Sequence, residues 1–210
     1  MELGYTRFNS FCFAFILVAL LSFGGTDQST CSAARIPTAA DTTSTEFIRA
    51  QCNATDYPQL CVATLSSYAP TIRRSAVRLA DVALNVSLRH ARSASAMMSR
   101  MSTGSGRMSR KEAEAVSDCI DALGDSVEYL RRSLARIGKA KGKDVRMRIN
   151  DAQTWVSTAL TDESTCMDEL VGGAKGGSKT RSAIRSQVVK AAELTSNALA
   201  LIGALSMSSA

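Results

Sequence analysis

The chain has 210 residues, 45% of them hydrophobic, enough for one domain with a real core and too few for two ordinary ones once its leading segment is set aside. Lys and Arg number 25 against 19 Asp and Glu, a net charge of +6, which suits an acidic polymer or a negatively charged partner. Aromatic residues are only 5%, so the stacking platforms of a single-strand nucleic-acid binder are missing and no nucleic-acid partner is expected.

The chain opens with a segment that does not belong to the fold. Met1–Ser10 is polar and carries Arg7, Phe11–Phe23 is almost wholly apolar, and small residues follow. That order predicts a secretory signal peptide, because the apolar run is far shorter than the roughly 20 residues a membrane span needs. Cleavage is expected between Gly24 and Ala34, so residues 1–34 hold the signal and the start of the mature chain. Arg7, Glu2 and Asp27 lie in that segment; without it the 25 basic residues become 24, the 19 acidic ones 17, and the net charge +7. A secreted, extracellular protein is expected, with no membrane contact in its mature form.

Cysteine use agrees with export. Cys12 lies in the signal and Cys31 in its cleavage zone, leaving Cys52, Cys61, Cys119 and Cys166 as an even set for an oxidising compartment. There is no Cys-x-x-Cys and only one His, so neither a metal nor a cofactor is expected. Asn53-Ala54-Thr55 and Asn85-Val86-Ser87 are glycosylation sequons on a chain predicted to be exported.

The remainder reads as helix, with one domain over 44–207. A short helical hairpin is expected over 44–68, where Pro58 lies between Cys52 and Cys61. A bundle over 70–207 follows. Its first helix carries Ile72, Ala76, Leu79, Ala83, Val86 and His90 on one face. The second carries Ala113, Val116, Ile120, Leu123, Val127, Leu130, Leu134 and Ile137. Val145, Ile149, Ala152, Val156, Ala159, Glu163, Cys166 and Leu170 mark the third, and Ile184, Val188, Ala191, Thr195, Ala198, Ile202 and Leu205 the fourth. Steps of three and four place each set along one helical stripe. Ser102–Gly106, Gly138–Lys143 and Gly172–Gly177 separate them with glycine, serine and lysine. Such short connectors predict an antiparallel up-down-up-down four-helix bundle, all-α.

Geometry also suggests a cysteine pairing. If the second and third helices fold back about Gly138–Lys143, residues equidistant from that connector face each other. Cys119 and Cys166 have their midpoint between Gly142 and Lys143, so they should meet, leaving Cys52 and Cys61 to close a short loop. The other two connectivities stay open on this argument. Loop-closure entropy would make the short link worth about 3 kcal/mol and the long one about 4 kcal/mol.

Catalytic constellations are thin. His90 lies on an apolar stripe and reads as structural. Gly104-Ser105-Gly106 is linker, too short for a nucleophile elbow. Asp162, Glu163, Asp168 and Glu169 lack the pocket that paired carboxylates need for glycosidase work. The chain is therefore read as a non-enzyme. Lys139, Lys141, Lys143, Lys175, Lys179 and Arg181 could touch a polyanion, with plain solubility as the simpler reading. Trp155 sits one step off the third stripe, at the edge of the core.

Three strings resemble the plant invertase and pectin methylesterase inhibitors. Cys52-Asn53-Ala54-Thr55-Asp56-Tyr57-Pro58-Gln59-Leu60-Cys61 is similar to that family's opening hairpin. Cys119-Ile120-Asp121-Ala122-Leu123 is similar to the stretch around its third cysteine, and Gln153-Thr154-Trp155-Val156-Ser157 through Thr165-Cys166 to the block leading into its fourth. Ser196-Asn197-Ala198-Leu199 matches the usual ending of the last helix, and the whole likeness covers residues 47–205. The resemblance implies the same hairpin and bundle, with the first cysteine joined to the second and the third to the fourth. It implies inhibition by occlusion, in a one-to-one complex in which the second and third helices cover the cleft of pectin methylesterase. The family's interface threonine carries over to Thr165, with Asp162 and Glu163 as polar neighbours. Thr158, Asp162 and Thr165, at i, i+4 and i+7, then share one face.

Acid invertase is the alternative target. Invertase inhibitors often carry Pro-Lys-Phe, but Pro37, Pro58 and Pro70 are none of them followed by Lys. A structural or pectin-binding bundle without an enzyme target is the third reading. Pro-regions of pectin methylesterases share the bundle too; with Ala210 read as the last residue, a free-standing inhibitor is expected.

Overall fold

The computed structural model describes residues 39–104, 109–140, 142–172 and 179–208. The segment 1–34 expected to hold the signal, with Cys12 and Cys31, lies outside these residues, as do Lys141 and Lys175. Seven α-helices follow in order: α1 Ala39–Cys52, α2 Pro58–Leu65, the single turn α3 Ala69–Ile72, α4 Ala76–Gly104, α5 Arg110–Ile137, α6 Val145–Gly172 and α7 Lys179–Ser208. Short 3-10 turns cover Ser66–Tyr68 and Gly142–Asp144. No strand occurs among the described residues.

Local chemistry explains the element ends. Pro58 opens α2, where its missing N–H costs nothing. Ser109 caps α5 in a capping box: its hydroxyl accepts from Glu112 N–H, and Glu112 accepts from Ser109 N–H at 3.0 Å. Gly142 takes φ 74 in the connector between α5 and α6, a conformation that L residues resist. Ile72 does not continue into the first bundle helix as its stripe position predicted. Arg73 and Arg74 adopt φ 47 and 61, and this left-handed pair separates α3 from α4. The hairpin also begins earlier than 44, at Ala39.

α4–α7 form the bundle, in which α4 packs on α5, α5 on α6, α6 on α7, and α7 back on α4. All seven stripe residues of α7, from Ile184 to Leu205, are buried. That helix is apolar enough over Ser182–Met207 to cross a membrane by composition, yet most of the stretch is covered by the bundle. On α5 the stripe drifts slightly, since Ala113 is exposed and Ala115 is buried in its place. The core falls into two clusters. One, next to the hairpin, includes Ile48, Leu84, Leu130, Val156 and Ile202. The other includes Met98, Leu123, Cys119, Cys166 and Val188.

Two devices hold these parts together. Disulfides join Cys52 to Cys61 within the hairpin and Cys119 to Cys166 between α5 and α6. The hairpin is tied to the last helix by Asn197, whose Oδ1 accepts from Tyr57 N–H and whose Nδ2 donates to Tyr57 O, both at 3.0 Å. Ser196 Oγ adds a bond to Asp56 Oδ2.

The two disulfides enclose loops of very different length, with sequence separations of 9 and 47. Replacing Cys119 and Cys166 by serine should lower the unfolding free energy by about 4 kcal/mol, and replacing Cys52 and Cys61 by about 3 kcal/mol. Urea unfolding of both variants checks the order; a hairpin pair that costs more than the interhelical pair contradicts it.

Candidate functional site

The outward face of α6 carries a ladder of threonines. Thr154, Thr158, Thr161 and Thr165 recur at steps of four, three and four, which keeps them on one side of the helix. Thr154, Thr161 and Thr165 are exposed and Thr158 is half-buried. Each hydroxyl donates to the carbonyl four residues back, Thr158 to Thr154 O at 3.1 Å and Thr165 to Thr161 O at 3.0 Å. With their protons used inside the helix, the hydroxyls offer only acceptor lone pairs and methyl groups outward. Asp162 stands at the flank of the ladder nearest α5, half-buried. Its Oδ2 is enclosed without a hydrogen-bond partner among the described residues. Burial, then the charge of Asp125 across on α5, raises its pKa. On the other flank, a groove of about 530 Å³ between α6 and α7 is lined by Asn150, Gln153, Thr154, Ser157, Thr158 and Leu199. The ladder and Asp162 are thus short of outward donors, and lysine, arginine or amide N–H groups of a partner would complement them.

Glu163 is not part of that surface. It was expected beside Asp162 and Thr165 at a partner contact, but it is fully buried, at 0% exposure. Its place on the core stripe decides the matter. Glu163 Oε1 accepts from Ser126 Oγ of α5 at 2.9 Å and from Thr195 Oγ1 of α7 at 3.1 Å. Two hydroxyls from two neighbouring helices thus lodge the carboxyl inside the bundle, while Oε2 has no partner among the described residues. Burial dominates its titration and raises the pKa to about 7, with the two hydroxyl bonds opposing and Asp162 adding to the rise.

Among the described residues the remaining candidates lie apart from this face. His90 is half-buried in a cleft between α4 and α7 shared with Arg185, Lys190 and Glu193. Burial, then Lys190 and Arg89, lowers its pKa, so the imidazole is neutral near pH 7. No hydrogen bond of its side chain occurs among the described residues, and no group of His, Cys, Asp and Glu there could hold a metal ion. Asn53 and Asn85 are both exposed, Asn53 in the turn after α1 and Asn85 on α4, where it donates to Asp81 O at 3.0 Å.

The family model for plant invertase/pectin methylesterase inhibitors matches residues 46–201, from α1 to α7. The chain belongs to that family. Its relatives include pectinesterase inhibitor 9 of Arabidopsis thaliana, 44% identical over 164 residues, covering 76% of this chain and 80% of that one. A 21 kDa protein of Daucus carota is 41% identical over 160 residues, covering 75% of this chain and 82% of its own. Among solved structures, a mutant form of a pectin methylesterase inhibitor from Arabidopsis superposes with TM-score 0.59 at 19% identity, over 72% of this chain and 92% of that one. At that identity the likeness speaks for the fold alone.

Sequence reasoning missed Thr154 and Thr161, although the same three-and-four spacing extends the strip to them. It also missed the Ser126–Glu163–Thr195 layer, whose members are far apart along the chain.

The buried acid makes the bundle's stability depend on pH. Because the folded-state pKa lies above the ordinary 4.5, the folded protein holds a proton that the unfolded chain releases. Stability should therefore fall as pH rises from about 4.5 to about 7, by about 3 kcal/mol over that window, and level off above it. Glu163→Gln keeps an acceptor for both hydroxyls and removes the titration. Melting curves between pH 4 and pH 8 (about four units, wide enough to span both values) should show the wild type losing stability that the variant retains. Parallel curves would place the titrating group elsewhere.

Proposed function

We propose that the protein is a secreted inhibitor of pectin methylesterase that occludes the enzyme's substrate cleft in a one-to-one complex. It would thereby limit pectin demethylesterification in the cell wall. The observation that carries this reading is the likeness, at 38–44% identity, to several proteins named pectinesterase inhibitors. The threonine ladder of α6 supplies a suitable surface. It is helix-borne, braced by the adjacent Cys119–Cys166 bridge, and already formed, so docking loses little ordering entropy. Thr158, Asp162 and Thr165 are the contact residues in this reading, with Thr154 and Thr161 added and Glu163 withdrawn. Sugars on Asn53 and Asn85 would not obstruct it, since Asn53 lies in the hairpin and α4 stands diagonally across the bundle from α6.

Titrating a plant pectin methylesterase and an acid invertase with the mature protein tests the target. Inhibition of the esterase alone is expected; inhibition of the invertase alone moves the protein to the sister branch. Thr165→Arg, which pushes a bulky cation into the contact, should weaken esterase inhibition at least about tenfold, or about 1.4 kcal/mol. Its melting temperature should match that of the wild type, because Thr165 is exposed. Unchanged inhibition would put the docking face elsewhere, and a parallel fall in melting temperature would make Thr165 structural.

A further inference from the structure

Beside the threonine ladder, where the end of α5 meets the start of α6, lies a groove of about 220 Å³. Arg132, Ala135 and Arg136 line it from α5, Lys139 from the connector that follows, and Arg148 and Trp155 from α6. We propose that this groove binds an acidic oligosaccharide, with uronate carboxylates on the four cations and a sugar ring against Trp155 and Ala135.

Three observations support the assignment. First, the cations exceed their countercharges. Glu128 pairs with Arg132 at 2.8 Å and Asp151 with Arg136 at 3.4 Å, while Lys139 and Arg148 have no ion pair among the described residues. Second, the guanidinium groups are oriented in advance. Arg132 lies 5.9 Å from the ring centre of Tyr129, and Arg136 lies 5.4 Å from that of Trp155. The two arginines are four residues apart and so stand one helical turn from each other. A chain with a carboxylate on every residue can therefore engage both. Third, the lining is amphipathic. A bare phosphate gains nothing from an indole or a methyl group, whereas a sugar ring has C–H faces that need such a neighbour.

The choice of a uronate rests in part on the proposed function, so the test uses the inhibitor protein alone, without any esterase. Trp155 is the one tryptophan of the chain, and its fluorescence reports directly on the groove. De-esterified oligogalacturonate should shift that fluorescence and give a saturable binding curve. The fully methyl-esterified oligomer, which lacks the charge, should bind at least about tenfold more weakly. Lys139→Glu and Arg148→Glu reverse cations that make no ion pair, and each should weaken binding of the charged oligomer by at least about tenfold while the melting temperature holds. Binding without a change at Trp155, or binding unaffected by either variant, would overturn the assignment. So would an equal response to inorganic phosphate or to polyglutamate, which would make the groove a general anion site or a peptide site. A protein that inhibits the esterase yet ignores the oligomer loses this inference and keeps the proposed function.

Discussion

The register between α5 and α6 is the constraint on which the other features depend. Cys119 and Cys166 share their midpoint with a second contact, Ser133 Oγ donating to Ala152 O at 3.2 Å. One covalent and one polar link, nearly four turns of helix apart, thus agree on a single antiparallel alignment. Given that alignment, Ser126 reaches Glu163, Arg136 lies between Asp151 and Trp155, and Asp125 looks across at Asp162. A slip by one turn would undo all of these together. The threonine ladder would survive the slip as a pattern on α6, but it would meet a different flank of α5.

The polar layer of Ser126, Glu163 and Thr195 divides an otherwise apolar core. Leu130, Ala159 and Ala198 belong to the cluster on one side, and Leu123, Cys166 and Val188 to the cluster on the other. Such a layer contributes less to stability than leucines would, since a buried carboxyl must stay neutral and hydrogen-bonded. It does penalise wrong alignments. Moving α5 by a turn would set the carboxyl against Leu123 or Leu130 with no donor to meet it. The covalent bridge and the polar layer therefore act on the same degree of freedom by different means.

Most of the fold was legible because its signal is periodic. The stripe from Ile184 to Leu205 predicted burial position by position, and the glycine-rich connectors marked where the helices turn. Glu163 shows where such reading fails. Its spacing placed it in the core and its charge placed it on the surface, and the charge was given more weight. What settles the conflict is a pair of hydroxyls, Ser126 and Thr195, brought together only by tertiary packing. The break at Arg73 and Arg74 was hidden for another reason, since arginine carries no turn signal and yet both residues take left-handed backbone there. The site was half legible. Thr158, Asp162 and Thr165 follow from helical geometry, whereas the enclosed Oδ2 of Asp162 depends on packing that no spacing encodes.

The clamp between Asn197 and Tyr57 has a consequence for how the chain can vary. Asn197 reads the peptide group at position 57, its N–H and its C=O, and the tyrosine ring itself is largely exposed, at 41%. Any amino acid except proline can present that peptide group, so the attachment of the hairpin places little demand on residue 57. The demand falls on position 197, where a donor and an acceptor must sit on one short side chain. Aspartate lacks the donor and glutamine is one methylene longer. The clamp therefore constrains residue 197, whereas the tyrosine at 57, part of the string that resembles the family's opening hairpin, owes nothing to this bond.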